Sequence, residues 1–152
     1  MGQQAVRIVA GNVVITDSYV SDNGHDGIWA FGVVDVLVER TVSTRNLSGS
    51  AFFAGARATL RNASFTSNQF YGVYVEGGPT ATPTYVRADE VTIGYNQQQG
   101  VQVAGLVSNF GSVVISRSTI LANGANGVNV LGGSGPVYAT VSESTLSNHP
   151  TA

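Results

Sequence analysis

Short stretches in which every second residue is apolar recur along the whole chain, each bounded by Gly, Asn, Asp or Ser. Alternation at period two marks a half-buried strand. The stretches also come in a fixed order. An Asn is followed four residues later by a small residue and then by an alternating strand. The phrase occurs at Asn23 with Gly27-Ile28-Trp29-Ala30, Asn46 with Ser50-Ala51-Phe52-Phe53, and Asn68 with Gly72-Val73-Tyr74-Val75. It returns at Asn96 with Gly100-Val101-Gln102-Val103 and at Asn123 with Gly127-Val128-Asn129-Val130. Asn148 opens a sixth copy, and Val6-Arg7-Ile8 reads as the tail of a copy whose start is missing. A second apolar pair precedes each Asn: Val13 and Ile15, Val36 and Val38, Ala58 and Leu60, Val86 and Ala88, Val113 and Ile115. A third short strand centres on Val20, Phe65, Ile93, Ile120 and Leu146.

Strands this short cannot bury an apolar face alone, so each repeat must lie on the next with equivalent strands paired in parallel. The spacing predicts an all-β, right-handed parallel β-helix solenoid of about six coils, built from a repeat of roughly 22 to 28 residues with three short strands per coil. The pattern resembles the right-handed β-helix superfamily of pectate lyases and polygalacturonases. Asn23, Asn46, Asn68, Asn96, Asn123 and Asn148 carry the resemblance, as an internal asparagine ladder at a turn. Asn suits that place because it tolerates left-handed backbone angles and its amide both donates and accepts along a stack. The resemblance implies an extracellular or cell-surface location and a bacterial source.

Charge tests the register independently of the apolar pattern. With the asparagines aligned, Asp35 falls over Arg57, Glu39 over Arg61 and then Asp89, Asp17 over Arg40, and Asp22 over Arg45, while Glu90, Arg117 and Glu143 follow one another. Opposite charges on neighbouring strands support the stack, and they assign most carboxylates to intercoil pairing rather than chemistry. Arg7, Asp26, Glu76, His25 and His149 are left without a partner.

Composition narrows the rest. Charged residues are 11% and hydrophobic ones 43% of 152 residues, with 19 glycines, which is a strand and turn composition. A net charge of -2 without a basic run gives no footprint for nucleic acid or an anionic membrane. There is no cysteine, hence no disulfide or thiolate metal site. No apolar run is long enough to span a membrane as a helix, and no signal peptide is present. The whole chain, 1–152, reads as one repeat domain with neither end capped, so a longer parent chain or end-to-end self-association is expected.

Two sets of residues are candidates for function. His25 and Asp26, in the Asp22-Asn23-Gly24-His25-Asp26 segment, suit a general base acting on a uronic-acid ring, and equally a solvated Asn-Gly turn. The outward position of the strand after each Asn reads Arg7, Trp29, Phe52, Tyr74, Gln102 and Asn129, flanked by Asp26, Tyr71, Glu76, Gln99 and Asn126. This aromatic stripe running into an amide stripe suits a polysaccharide, with rings on sugar faces and amides on hydroxyls. It also suits strand aromatics stacked for stability or covered by another domain. Longer connections, Gly77 to Tyr85 with Pro79 and Pro83, Leu106 to Ser112 with Phe110, and Gly132 to Pro136, emerge at one edge and would wall a groove.

Catalysis is the lesser expectation. The paired aspartates, Gly-His-Gly segment and Arg-Ile-Lys segment of the polygalacturonases are absent, there is no lysine, and the carboxylates are too dispersed for a lyase calcium site. No cofactor is expected, calcium entering only with the lyase alternative. Three functions follow: a non-catalytic carbohydrate-binding or scaffold segment, a piece of a polysaccharide lyase, hydrolase or C5-epimerase, and a structural or adhesive fibre segment. Ice binding is disfavoured, since no Thr-x-Thr array recurs at one offset.

Overall fold

The computed structural model describes residues 3–78, 82–105, 110–133 and 135–150. Six coils of three strands follow one another. The first is β1 (Val6–Ile8), β2 (Asn12–Thr16) and β3 (Tyr19–Ser21); the second β4 (Ile28–Phe31), β5 (Asp35–Glu39) and β6 (Val42–Thr44). The third is β7 (Ser50–Phe53), β8 (Arg57–Arg61) and β9 (Ser64–Thr66); the fourth β10 (Val73–Gly77), β11 (Thr84–Asp89) and β12 (Thr92–Gly94). The fifth is β13 (Val101–Gly105), β14 (Gly111–Ser116) and β15 (Thr119–Leu121); the sixth β16 (Val128–Leu131), β17 (Val137–Ser142) and β18 (Thr145–Ser147). Equivalent strands pair in parallel into three six-stranded sheets, led by β1, β2 and β3 in turn. No helix occurs among the described residues, and the fold is the right-handed parallel β-solenoid that the repeat predicts.

Alternation explains the core. Ile28, Ala30, Val36, Val38, Leu60, Phe65, Val73, Val75, Val86, Ile93, Val101, Val103, Ile115 and Ile120 all point inward and are buried. Each coil turns two corners on single left-handed residues, Asp17, Arg40, Asn62, Glu90, Arg117 and Glu143 at one, and Asp22, Arg45, Ser67, Tyr95, Ala122 and Asn148 at the other.

The ladder follows the second corner. The N–H of Asn23 donates to Oδ1 of Asn46, that of Asn46 to Asn68, Asn68 to Asn96, and Asn96 to Asn123, at 3.0–3.1 Å. Side-chain Nδ2 groups of Asn23, Asn68 and Asn96 add bonds to the same oxygens at 2.8–2.9 Å. The sixth rung is not Asn148. The N–H of Asn123 donates to Nδ1 of His149 at 3.3 Å, while Asn148, at φ 58°, takes the left-handed position before the rung.

A second correction concerns the third coil. Ser50 pairs with Ile28 and Val73, Ala51 with Trp29 and Tyr74, and Phe52 with Ala30 and Val75. The turn after Asn46 is therefore one residue shorter than the others, and Gly49, not Ser50, is the small residue of the phrase. Phe52 is fully buried in the core rather than outward. The small residue must be Gly because a Cβ at Gly27, Gly49, Gly72 or Gly100 would meet the carbonyl oxygen of the next equivalent Gly at 2.6–2.8 Å. In this coil two phenylalanines, Phe52 and Phe65, enter a core whose neighbouring positions are small: Ser50, Ala54, Ala56, Ala58 and Ala63. Total side-chain volume is what a close-packed interior holds constant.

The charge register is realised at the corners and on the second sheet. Arg40 reaches Asp17 at 2.7 Å and Glu39 at 2.6 Å, Arg45 reaches Asp22 at 2.6 Å, Arg57 lies 3.6 Å from Asp35, and Arg61 pairs with Glu39. Asp89 stands beside Arg61 in register but pairs with Arg117, which also lies 3.4 Å from Glu90. These side chains are mostly exposed, so solvent screens each pair and its contribution to stability is small. The last coil is the least covered: Val130, Leu131, Val141 and Leu146 are exposed, whereas Ile8 and Val20 of the first coil are buried.

Candidate functional site

The outer face of the first sheet presents two rows. The first runs Arg7, Trp29, Ala51, Tyr74, Gln102, Asn129, and the second Phe31, Phe53, Glu76, Ala104, Leu131. The shortened turn places Ala51 where the alternation of the other coils puts a ring. Ala51 is buried beneath its neighbours, and Phe53 closes the gap, its ring centroid 5.9 Å from Trp29 and 5.4 Å from Tyr74. Trp29 lies parallel to Phe31 at 5.6 Å, Tyr74 parallel to Tyr71 at 5.1 Å, and Tyr71 meets Phe70 at 6.1 Å. Six rings thus form one unbroken cluster across three coils. Phe31 and Phe70 are exposed, and the other four are half-buried.

Charged groups frame the cluster. The Arg7 guanidinium sits over the Trp29 ring, 5.4 Å from its centroid, a cation–π contact. The Tyr74 hydroxyl donates to Oε2 of Glu76 at 2.5 Å. Burial, and then the bond to Glu76, push the Tyr74 hydroxyl above the ordinary tyrosine range, so it stays a donor.

Beyond Tyr74 the face changes character. Gln102 is 2% exposed, its Nε2 donating to the Val103 carbonyl at 3.2 Å and its Oε1 accepting from Asn129 at 2.9 Å. It is a covered structural amide rather than an open one. Gln99 is half-buried with its Oε1 buried and unbonded, Asn126 is exposed, and Asn129 is half-buried.

His25 and Asp26 come together, but not with Glu76. His25 Nδ1 lies 3.1 Å from Asp26 Oδ2, and the Asp26 N–H points to the same nitrogen at 3.0 Å. One ring nitrogen cannot accept from the amide and donate to the carboxylate at once, so these are competing local contacts within a turn. Asp26, expected at the outer surface, is 6% exposed. Glu76 lies two coils and five strand positions away, roughly 20 Å, whereas carboxylate pairs that cleave glycosides stand about 5–9.5 Å apart. Among the described residues no three of His, Asp and Glu come together as metal ligands.

A separate open depression of about 470 Å³ lies on the second sheet, lined by Asn12, Val14, Asp35, Leu37, Arg57 and Tyr85 among others. Tyr85 stands beside Arg57 in register at the edge where the longer connections emerge. Phe110 is exposed at that edge. Pro79, Leu106 and the rest of 79–81, 106–109 and 134 lie outside the described residues, so the expected groove wall is not traced there. The sequence reading missed three rings of the cluster, Phe31, Phe53 and Phe70; counting from Gly49 instead of Asn46 turns Phe53 outward, and Phe31 stands at the same offset from Gly27.

No curated protein matches the chain. The crystal structure of pectate lyase Pel9A is similar, with a TM-score of 0.67 and 18% identity, over 83% of this chain and 35% of that one. The chain thus spans about a third of that neighbour's length, and the likeness is one of fold. A family model described as a right-handed beta helix region matches residues 2–85, more than half of the chain. Together with the stacked sheets and the Asn ladder, this makes the chain a member of the right-handed β-helix family.

Proposed function

We propose that the chain is a non-catalytic segment of an extracellular β-helix protein that holds a polysaccharide against the outer face of its first sheet. The observation that carries this reading is the continuous six-ring cluster of Phe31, Trp29, Phe53, Tyr74, Tyr71 and Phe70, set beside a carboxylate and amides on a rigid support. Rings on a rigid sheet meet the apolar faces of sugars at small entropic cost, and such clusters on a surface mark interaction sites. The separation of His25 and Asp26 from Glu76 supports a holding role over a chemical one. Affinity electrophoresis in polysaccharide gels tests it. Trp29→Ala and Tyr74→Ala should each weaken retention about tenfold, the equivalent of roughly 1.4 kcal/mol. Unchanged retention, or none with the intact chain, would remove the reading.

The depression on the second sheet favours a second reading, a piece of a polysaccharide lyase, hydrolase or epimerase. Asp35, Arg57 and Tyr85 offer a carboxylate, a cation and a hydroxyl on one open surface, and the similar fold belongs to a pectate lyase. Incubation with polysaccharides followed by detection of shortened or unsaturated products separates the two readings. Products that vanish with Arg57→Ala would favour the enzyme.

A further inference from the structure

The charges of the molecule are divided unevenly among its faces. Of its seven cationic side chains, all arginines, only Arg7 stands on the outer face of the first sheet. Arg57, Arg61 and Arg87 stand on the second sheet, and Arg40, Arg45 and Arg117 at the corners. On the first sheet the sole carboxylate is Glu76, set against Tyr74 near the middle of the stack. Arg7 and Glu76 are three coils and two strand positions apart, roughly 16 Å.

We infer that the polysaccharide this face takes is neutral, a polymer of uncharged hydroxyl-bearing sugars, and not a polyuronate; the inference rests on the polysaccharide-binding reading above. An acidic polymer lying along the coils would lay a carboxylate over the cluster at nearly every sugar. Only Arg7 could compensate one of them, and its guanidinium is already engaged by Trp29. Glu76 would repel the next, and like-charge juxtaposition at an interface suppresses a wrong partner. Desolvating further carboxylates against phenylalanine rings is unfavourable as well, since nothing there returns the lost hydration.

A neutral polymer meets none of these penalties. Its hydroxyls donate to the Glu76 carboxylate, an acceptor with more capacity than Tyr74 uses, and both donate to and accept from the amides of Asn126 and Asn129. Its apolar ring faces lie on Phe31, Phe53 and Tyr74. The acceptor in the middle of the platform is thus matched to a ligand that brings donors.

Isothermal titration of the full chain with neutral hexasaccharides (cellohexaose, mannohexaose, xylohexaose) and with hexagalacturonate tests this, each at low and high salt. The expected result is binding of a neutral hexasaccharide that salt leaves unchanged, an approximately tenfold loss in Trp29→Ala, and no binding of hexagalacturonate. Glu76→Gln, which replaces a charged acceptor by a weaker neutral one, should weaken the neutral ligand by about three- to tenfold and improve hexagalacturonate. Preferential binding of hexagalacturonate, weakening with salt, would overturn the neutral assignment while leaving polysaccharide binding standing. Absence of binding by both classes would overturn the binding reading itself. Far-ultraviolet circular dichroism of each variant shows that the coils are intact.

Discussion

Asn96 shows how much one side chain carries. Its Oδ1 accepts both the N–H and the Nδ2 of Asn68, all of it buried. Asn96→Ala leaves two donors without an acceptor, and each buried orphan costs about 1–3 kcal/mol, so a loss near 3 kcal/mol is expected in chemical denaturation. Tyr95, its neighbour, sits at φ 58° and is 61% exposed. A residue with a Cβ is strained there by about 1–2 kcal/mol, less for Asn, and an exposed ring gives up little packing. Tyr95→Asn should therefore raise the denaturation midpoint. Tyr74 is the residue to follow at high pH. Its ionisation is pushed upward in the fold, so the unfolded chain, with tyrosine near pH 10, releases its proton first. Stability contributed by this group is complete below about pH 10 and is lost as pH rises toward the folded value. Glu76→Gln should move the ultraviolet titration of Tyr74 back toward ordinary tyrosine while burial keeps part of the shift.

At the scale of strands and turns, the corners and the third coil behave differently. Arg40 and Arg45 hold the carboxyls of Asp17 and Asp22 down to about 2 through charged hydrogen bonds. An unfolded aspartate titrates near pH 3.9, so this small contribution is present above about pH 4 and disappears as pH falls through 2. Asp17→Asn combined with Asp22→Asn should flatten the thermal midpoint across that window. In the third coil Ser50 is fully buried with its hydroxyl unbonded. Ser50→Ala removes an unsatisfied group for one lost atom and should be neutral or stabilising by up to about 2 kcal/mol. Period-two alternation made the strands and their inward faces readable from sequence, because it states directly which side is buried. A one-residue change of turn length is not written in that alternation, and at Asn46 it moved Phe52 from the predicted surface to the core. Glycine was the sounder landmark, since a close approach of backbones admits nothing else, while Ser50 merely looked small. Glu143 carried a similar clue. It matches Glu90 and Arg117 when the sixth rung is His149, and falls one place out when the rung is Asn148.

For the molecule as a whole, the site was legible as a composition of side chains and not as an arrangement. Trp29, Tyr71, Tyr74 and Glu76 were visible as outward residues from alternation alone. That Phe53 bridges Trp29 and Tyr74, that Gln102 is covered, and that Asp26 is buried depend on side chains leaning between coils, which no single repeat encodes. The stacking has one more consequence, a mechanical one. Every sheet and every rung ties a coil only to the coil before and the coil after it. Under tension from one end, nothing holds a coil except its neighbour, so the chain should come away one turn at a time rather than all at once. A coil of roughly 25 residues releases about 80–90 Å of extended chain. In a single-molecule pulling trace the expected signature is a sawtooth of such steps, beginning at the thinly covered last coil.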